Sequence, residues 1–197
     1  MNDNTDNYVR VPGELLLAAK RFAAKKDVRF YLNGVHIRWG DGEAIVQATN
    51  AHILFRATFS NGLMKGSGSV ILPVAELPSR KTEYSGYVTI RSTGQYEAKV
   101  NANTVRTIQH PYLPDSSIEQ VTPGVAVPHT SITLGVDELA AVAAAVKDLG
   151  DEAVRLNLAD GSNKQPCLIR HDKDRYSYTM LIMSYTTGEA LYQLPTT

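Results

Sequence analysis

The chain has 197 residues, 20 basic and 20 acidic side chains, 43% apolar residues and a single cysteine. That apolar share can fill the core of one large or two small domains, and balanced charge argues against both a disordered tail and a wholly basic DNA coat. Cys167 alone cannot form an internal disulfide, no apolar run approaches the roughly 20 residues of a membrane helix, and the polar start MNDNTDN is unlike a secretory leader; a soluble cytoplasmic globular protein is expected.

In chain order, three segments open alike: YVRVPGELLLAAKRF from Tyr8, SVILPVAELPSRKTE from Ser69 and SITLGVDELAAVAAAV from Ser131. Each is a short β-type run, then Pro or Gly, then a Glu-Leu pair opening a helical stretch. The pairs Glu14-Leu15, Glu76-Leu77 and Glu138-Leu139 are spaced 62 residues apart both times, the mark of an internal repeat. In the first helix Leu15, Ala18, Ala19 and Phe22 share a face, with Lys20 and Arg21 flanking the opposite one and Lys25 and Lys26 capping its end. A second, short helix is expected near Val74–Arg80, interrupted by Pro78. The third is alanine-rich, with an expected apolar stripe of Leu139, Val142, Ala143, Val146 and Leu149.

After each helix comes an alternating run closed by a glycine turn: VRFYLNG to Gly34, VTIRSTG to Gly94 and VRLNLADG to Gly161. Period-two alternation ended by such a turn predicts a strand entering a hairpin. VHIRWG pairs naturally with EAIVQAT across Asp41-Gly42, HILFRATF follows, and CLIRH and YSYTMLIM are the last β-rich pieces. Each module therefore reads as strand–helix–strand–strand–strand, an α+β arrangement. The proline-rich stretch from Pro111 to His129 lacks a period and places a domain boundary near Pro123.

Nothing along the chain has the pattern of a catalytic or metal site. Asp41/Glu43 and Asp172/Asp174 sit in turn-like polar clusters, and Cys167 and His171 are four apart without the second pair a zinc site needs. Gly66 and Gly68 lie between two strands, so no helix amides follow to cradle a phosphate. No catalysis, cofactor or metal is expected. Charge is the remaining lead: residues 1–123 hold 14 Lys/Arg against 11 Asp/Glu and residues 124–197 hold 6 against 9, so the two parts carry +3 and −3. So small a bulk charge cannot by itself drive tight phosphate binding.

The repeated unit, the segment ATNAHILF (48–55), the exit HPYLPDSSIEQVTP (110–123) and the ending YSYTMLIMS (176–184) together resemble the bacterial DNA polymerase III sliding clamp (β subunit) family. ATNAHILF is similar to that family's Ala-Thr-Asp-Gly-His-Arg-Leu-Ala, with Asn50, Ala51 and Ile53 substituted. Pro114-Asp115 with Val121 and Pro123 resembles its Phe-Pro-Asp-Tyr…Val-x-Pro exit, and YTMLIMS its Tyr-Val-Val-Met-Pro-Met-Arg ending, with Leu181, Ile182 and Ser184 departing.

The resemblance covers roughly residues 8–187 and implies the DNA-clamp architecture: modules paired into domains, helices lining a central hole, antiparallel sheets outside. Residues 8–123 would be one complete domain, 124–187 half of another, 1–7 a disordered N-terminus and 188–197 a tail. It further implies a homo-oligomer, a tetramer if lone third modules pair across chains, that encircles duplex DNA and takes no part in membranes. The cations that would face DNA are Lys20, Arg21, Lys25, Arg80 and Lys81. A pocket for Gln-Leu-type peptides of polymerases and other replication proteins would be lined by Thr49, Ala51, His52, Leu54, Pro114, Val121, Leu181 and Met183. Gln193-Leu194 in the tail matches only the start of such a peptide. Three readings stand: a miniature clamp acting as a processivity factor, a clamp-derived peptide-binding module that forms no ring and regulates or mimics a host clamp, and an unrelated α+β enzyme.

Overall fold

A computed structural model describes residues 7–60, 62–93, 96–109, 134–153, 155–158 and 167–183. The exit stretch with Pro114 and Val121, the strand expected at Ser131, the N-terminus 1–6 and the tail 188–197 lie outside the described residues. The first module runs β1 (Tyr8–Pro12), α1 (Gly13–Phe22), β2 (Gly34–Gly40), β3 (Glu43–Thr49) and β4 (Ile53–Ser60). A two-residue strand β5 (Met64–Lys65) leads to the second module: β6 (Gly68–Pro73), β7 (Tyr87–Ser92), β8 (Glu97–Val100) and β9 (Asn103–Arg106). The third supplies α2 (Val136–Asp148), β10 (Asn157–Leu158), β11 (Cys167–Lys173) and β12 (Tyr176–Ile182).

The strands form two antiparallel sheets, one ordered β5-β1-β7-β8-β9 and the other β10-β11-β12-β4-β3-β2-β6. The first two modules exchange their opening strands: β1 pairs with β7 of the second, and β6 pairs with β2 of the first. The third module joins edge to edge, β12 running antiparallel to β4 with Leu181 opposite Leu54 and Ile182 opposite Ile53. This closes what would otherwise be two exposed sheet edges, each an unpaired row of backbone donors and acceptors.

Alternation sends Val35, Ile37 and Trp39 of β2, Val46 of β3, Phe55 of β4 and Met180 of β12 inward, onto α1 and α2 lying side by side. Leu15, Leu16 and Phe22 of α1 are completely buried there, at about 1.5–3 kcal/mol each. Gly13 begins α1 because its N–H donates to the Gly86 carbonyl at 2.8 Å, and a Cβ there would stand 1.8 Å from the Tyr84 carbonyl oxygen.

Three expectations are corrected. Among the described residues the second module has no α-helix; Val74–Glu76 and Lys81–Tyr84 are single 3₁₀ turns. Pro78 forces the preceding Leu77 into extended backbone, ψ 147°, which ends the helix before one turn completes. VRFYLNG is not a strand up to Gly34: Phe30–Asn33 form a 3₁₀ turn. Asn33 there accepts the Asp27 backbone N–H and donates to the Asp27 carbonyl, both at 2.8 Å, so local side-chain bonds outcompete the ladder. In α2 the buried face is Glu138, Val142, Ala145, Val146 and Leu149, whereas Leu139 and Ala143 are exposed.

Candidate functional site

The β4–β12 seam carries the densest grouping of the residues singled out in the sequence. At its end the turn Thr49–Ile53 is locked by its own side chains. Thr49 Oγ1 donates to the Ile53 carbonyl at 2.7 Å and accepts the Ala51 N–H at 3.0 Å. Asn50 Oδ1 accepts the N–H groups of both His52 and Ile53 at 2.9 Å. Ala51 is held at φ +76°, a left-handed conformation that costs a Cβ-bearing residue about 1–2 kcal/mol. The His52 carbonyl then accepts the Met183 N–H at 2.8 Å, joining this turn to the last described residue after β12. On the sheet face turned away from α1 and α2, Leu54 and Leu181 form a small buried cluster of their own, with Leu168 of β11 packed against it. Of the eight residues expected to form the peptide pocket, Thr49, Ala51, His52, Leu54, Leu181 and Met183 are therefore brought to one place; Pro114 and Val121 are outside the described residues.

Beside this seam opens a cleft of about 660 Å³. Asn50, His52 and Ile53 form one side, the segment from Arg21 to Arg29 a second, and the first turn of α2, with Asp137 and Glu138, a third. Asp27 and Arg29 neutralise each other through two carboxylate–guanidinium bonds of 3.0 and 2.9 Å; the side-chain bond from Arg29 holds the Asp27 carboxyl down at about 2. Lys25 and Lys26 are exposed on the same wall and make no ion pair among the described residues. Next in sequence to cleft residues, the apolar Val28, Phe30 and Val136 are exposed, at 95%, 54% and 81%.

The cations expected to face DNA have diverse placements. Lys20 Nζ donates to the Pro78 carbonyl at 2.7 Å and to the Tyr84 hydroxyl, and lies over the Tyr84 ring. Burial lowers its pKa, with Glu83 opposing. Arg21 and Lys81 both reach Asp148 at the end of α2, at 2.5 and 2.8 Å, and that carboxylate is 3% exposed. Burial pushes the Asp148 carboxyl up, but the two cations together outweigh it and hold it below its ordinary value. Lys25 and Arg80 remain exposed. A groove of about 450 Å³ runs between α1 and α2, with Lys20, Arg21 and Lys25 on one side and Ala140, Ala141 and Ala144 on the other.

Sequence reading missed Asp148 and the cleft. The signal for Asp148 was the opposite charge of the two parts of the chain, +3 against −3, which this contact partly satisfies. The cleft had no linear signal, because its walls come from residues 21–29, 50–53 and 137–141.

No protein-family profile and no curated protein matches the chain. Solved structures do. A DNA polymerase sliding clamp from Pseudomonas aeruginosa superimposes with TM-score 0.68 at 18% identity, over 92% of this chain and 67% of that one. A Helicobacter pylori beta clamp in complex with diflunisal gives TM-score 0.67 at 15% identity, over 92% and 66%. The DNA polymerase III beta subunit of Thermotoga maritima gives 0.61 at 14%, also over 92% and 66%. The chain thus spans about two thirds of the length of these structures, and at such identities the likeness is one of fold: the architecture is the DNA clamp's, repeated modules with helices on one face of antiparallel sheets. No described helix is long and apolar enough to cross a membrane.

Proposed function

We propose that this chain is a clamp-type processivity factor, a protein that holds replication or repair proteins to duplex DNA and catalyses nothing itself. The observation that carries the reading is the β4–β12 seam, which gathers the locked Thr49–Ile53 turn, the Leu54–Leu181 cluster and the Met183 exit within one sheet of a clamp-type fold. A short peptide bearing Gln-Leu and further apolar residues docks there, its side chains against Leu54, Leu181 and Met183 and its backbone beside His52. Aliphatic and methionine side chains suit such a groove because they adapt to varied partners. Pro114 and Val121 complete the lining in this reading. Residues 8–123 and 124–187 act as one whole and one half domain, and copies of the chain assemble into a ring around DNA.

A sliding ring should hold phosphates through few, water-screened cations. Of the five candidates, Lys20 is half-buried and bonded to Pro78, Arg21 and Lys81 are exposed but paired with Asp148, and Lys25 and Arg80 are exposed and make no ion pair among the described residues. That distribution supports weak rather than tight DNA contact.

Two measurements test the reading. Titration with a fluorescent Gln-Leu-x-Leu-Phe peptide should saturate at micromolar concentration, and Leu181→Asp should abolish it; absence of binding at millimolar peptide removes the pocket. Retention on nicked circular DNA with loss after linearisation is expected of a ring. A protein that binds the peptide but is monomeric and equally unretained on both DNAs is instead the non-ring regulatory module.

A further inference from the structure

The five-stranded sheet has an outer face distinct from the seam, the cleft and the groove between the helices. Its strands alternate: Val9, Val88, Ile90, Ala98, Val100 and Val105 point into the core, so the residues between them point out. The register sets Lys65, Tyr8, Arg91, Lys99 and Thr104 opposite one another in one row across all five strands. That row is about 19 Å long, at about 4.8 Å per strand step. Arg10 lies on the same face two residues beyond Tyr8, and Arg106 two beyond Thr104. The outward positions of the described strands thus carry five cations, Lys65, Arg10, Arg91, Lys99 and Arg106, against one acid, Glu97, which stands opposite Arg106. The whole chain has no net charge, so this surplus of four is a local field that the total conceals.

Two features separate this face from an ordinary solvated one. Arg91 stands directly opposite Lys99, and like charges so placed destabilise an antiparallel pair. Among the described residues none of Arg10, Arg91, Lys99 and Arg106 has an ion pair to offset that cost. Aromatic rings also interleave with the cations: Arg10 Cζ lies 5.3 Å from the centre of the Tyr87 ring, and Arg91 Cζ 5.6 Å from that of Tyr8. Unmatched cations alone would serve any polyanion. Rings beside them add something only for a ligand with flat π-faces of its own.

We infer that this face binds single-stranded nucleic acid, with phosphates on the arginines and Lys99 and a base against the exposed Tyr87. A duplex keeps its bases stacked on one another and an acidic peptide has none, so neither uses the rings. The inference goes beyond the clamp reading and does not depend on it. On that reading the sheets lie outside the ring, and the single strand is held apart from the encircled duplex.

The test follows fluorescence anisotropy of three labelled probes titrated with the full chain: an oligothymidylate of about 20 nucleotides, its duplex with oligoadenylate, and a glutamate-rich peptide. The single strand should bind more tightly than either other probe. Its log affinity should fall against log salt with a slope of about −2.8, for four phosphate contacts. K99Q/R106Q should bring that slope about 1.4 closer to zero, and both positions are exposed, so folding is undisturbed. Y87L should weaken the single strand about fivefold or more and leave the slope unchanged. K147Q/R155Q removes the same charge at exposed positions of the third module and should change neither quantity. No binding of the single strand at about 0.1 mM protein in low salt overturns the inference. So does an equal loss in K147Q/R155Q, which would make the effect one of bulk charge. Duplex or peptide binding as tight as the single strand, with Y87L without effect, overturns it in favour of a general polyanion surface. None of these results touches the clamp reading, which stands or falls on the circular-DNA and Gln-Leu peptide measurements.

Discussion

Asp148→Asn removes one charge from the point where the three modules meet. Arg21 on α1, Lys81 in the second module's 3₁₀ turn and Asp148 on α2 form a single cluster, with bonds of 2.5 and 2.8 Å to a carboxylate that is 3% exposed. The gross attraction at these distances is several kcal/mol at an effective dielectric of about 20, but much is lost in desolvating the carboxylate. Lys81 is 66% exposed and contributes only a fraction of a kcal/mol after screening; Arg21, 39% exposed, contributes more. The amide keeps the shape and a weaker acceptor, so the net loss should be about 1–2 kcal/mol. Urea unfolding at pH 7 reads it as a lower midpoint at unchanged slope. The pH dependence follows from the lowered carboxyl: the unfolded chain binds this proton more readily than the folded one, so the contribution is complete above pH about 4. It is lost as pH falls through the folded value, and the gap between wild type and variant should close there. Arg21→Ala and Lys81→Ala should each destabilise wild type yet add little when combined with Asp148→Asn. A gap below about 0.3 kcal/mol at pH 7, or full additivity of the three substitutions, would refute the coupling. On the proposed clamp reading, release of Arg21 and Lys81 should also steepen the salt dependence of DNA retention, by up to about 0.9 per phosphate newly neutralised.

Further outcomes follow from single positions. Ala51→Gly should stabilise the protein by about 1 kcal/mol in thermal or urea unfolding, since glycine adopts φ +76° without the Cβ penalty. Gly13→Ala should cost about 2 kcal/mol or more, because its Cβ meets the Tyr84 carbonyl oxygen at 1.8 Å and the start of α1 must shift. Tyr178→Phe should cost about 1 kcal/mol: it deletes the 2.7 Å hydrogen bond to Asp151 beyond the end of α2, while the Lys173–Asp151 ion pair persists. Burial, with Asp151 beside it, pushes the Tyr178 hydroxyl well above its ordinary value. An ultraviolet titration should therefore show this phenol ionising only with unfolding.

Much of the fold was readable along the chain, because it depends on local periodicity. The Glu-Leu pairs at a constant 62-residue spacing marked three copies of one unit, and the first and third do open helices at Gly13 and Val136. The alternation in VHIRWG, EAIVQAT and HILFRATF placed β2, β3 and β4 on consecutive paths. Where the reading failed, a neighbour in sequence overrode the pattern: Pro78 stopped the second helix, and the Asp27–Asn33 bonds replaced a strand with a 3₁₀ turn. The face of α2 could not be read from an alanine-rich run, in which nearly any stripe is apolar.

The amino-acid sequence by itself determined the units and much of their internal order, since hydrophobic period, proline and glycine act within a few residues. How the units meet was decided only in three dimensions. The exchange of β1 and β6, the β4–β12 seam that sets Leu181 against Leu54, and the capture of Arg21 and Lys81 by Asp148 join residues far apart in the chain. Those choices rest on satisfying sheet edges and a nearly buried carboxylate, and no short stretch of sequence carries the geometry that satisfies them.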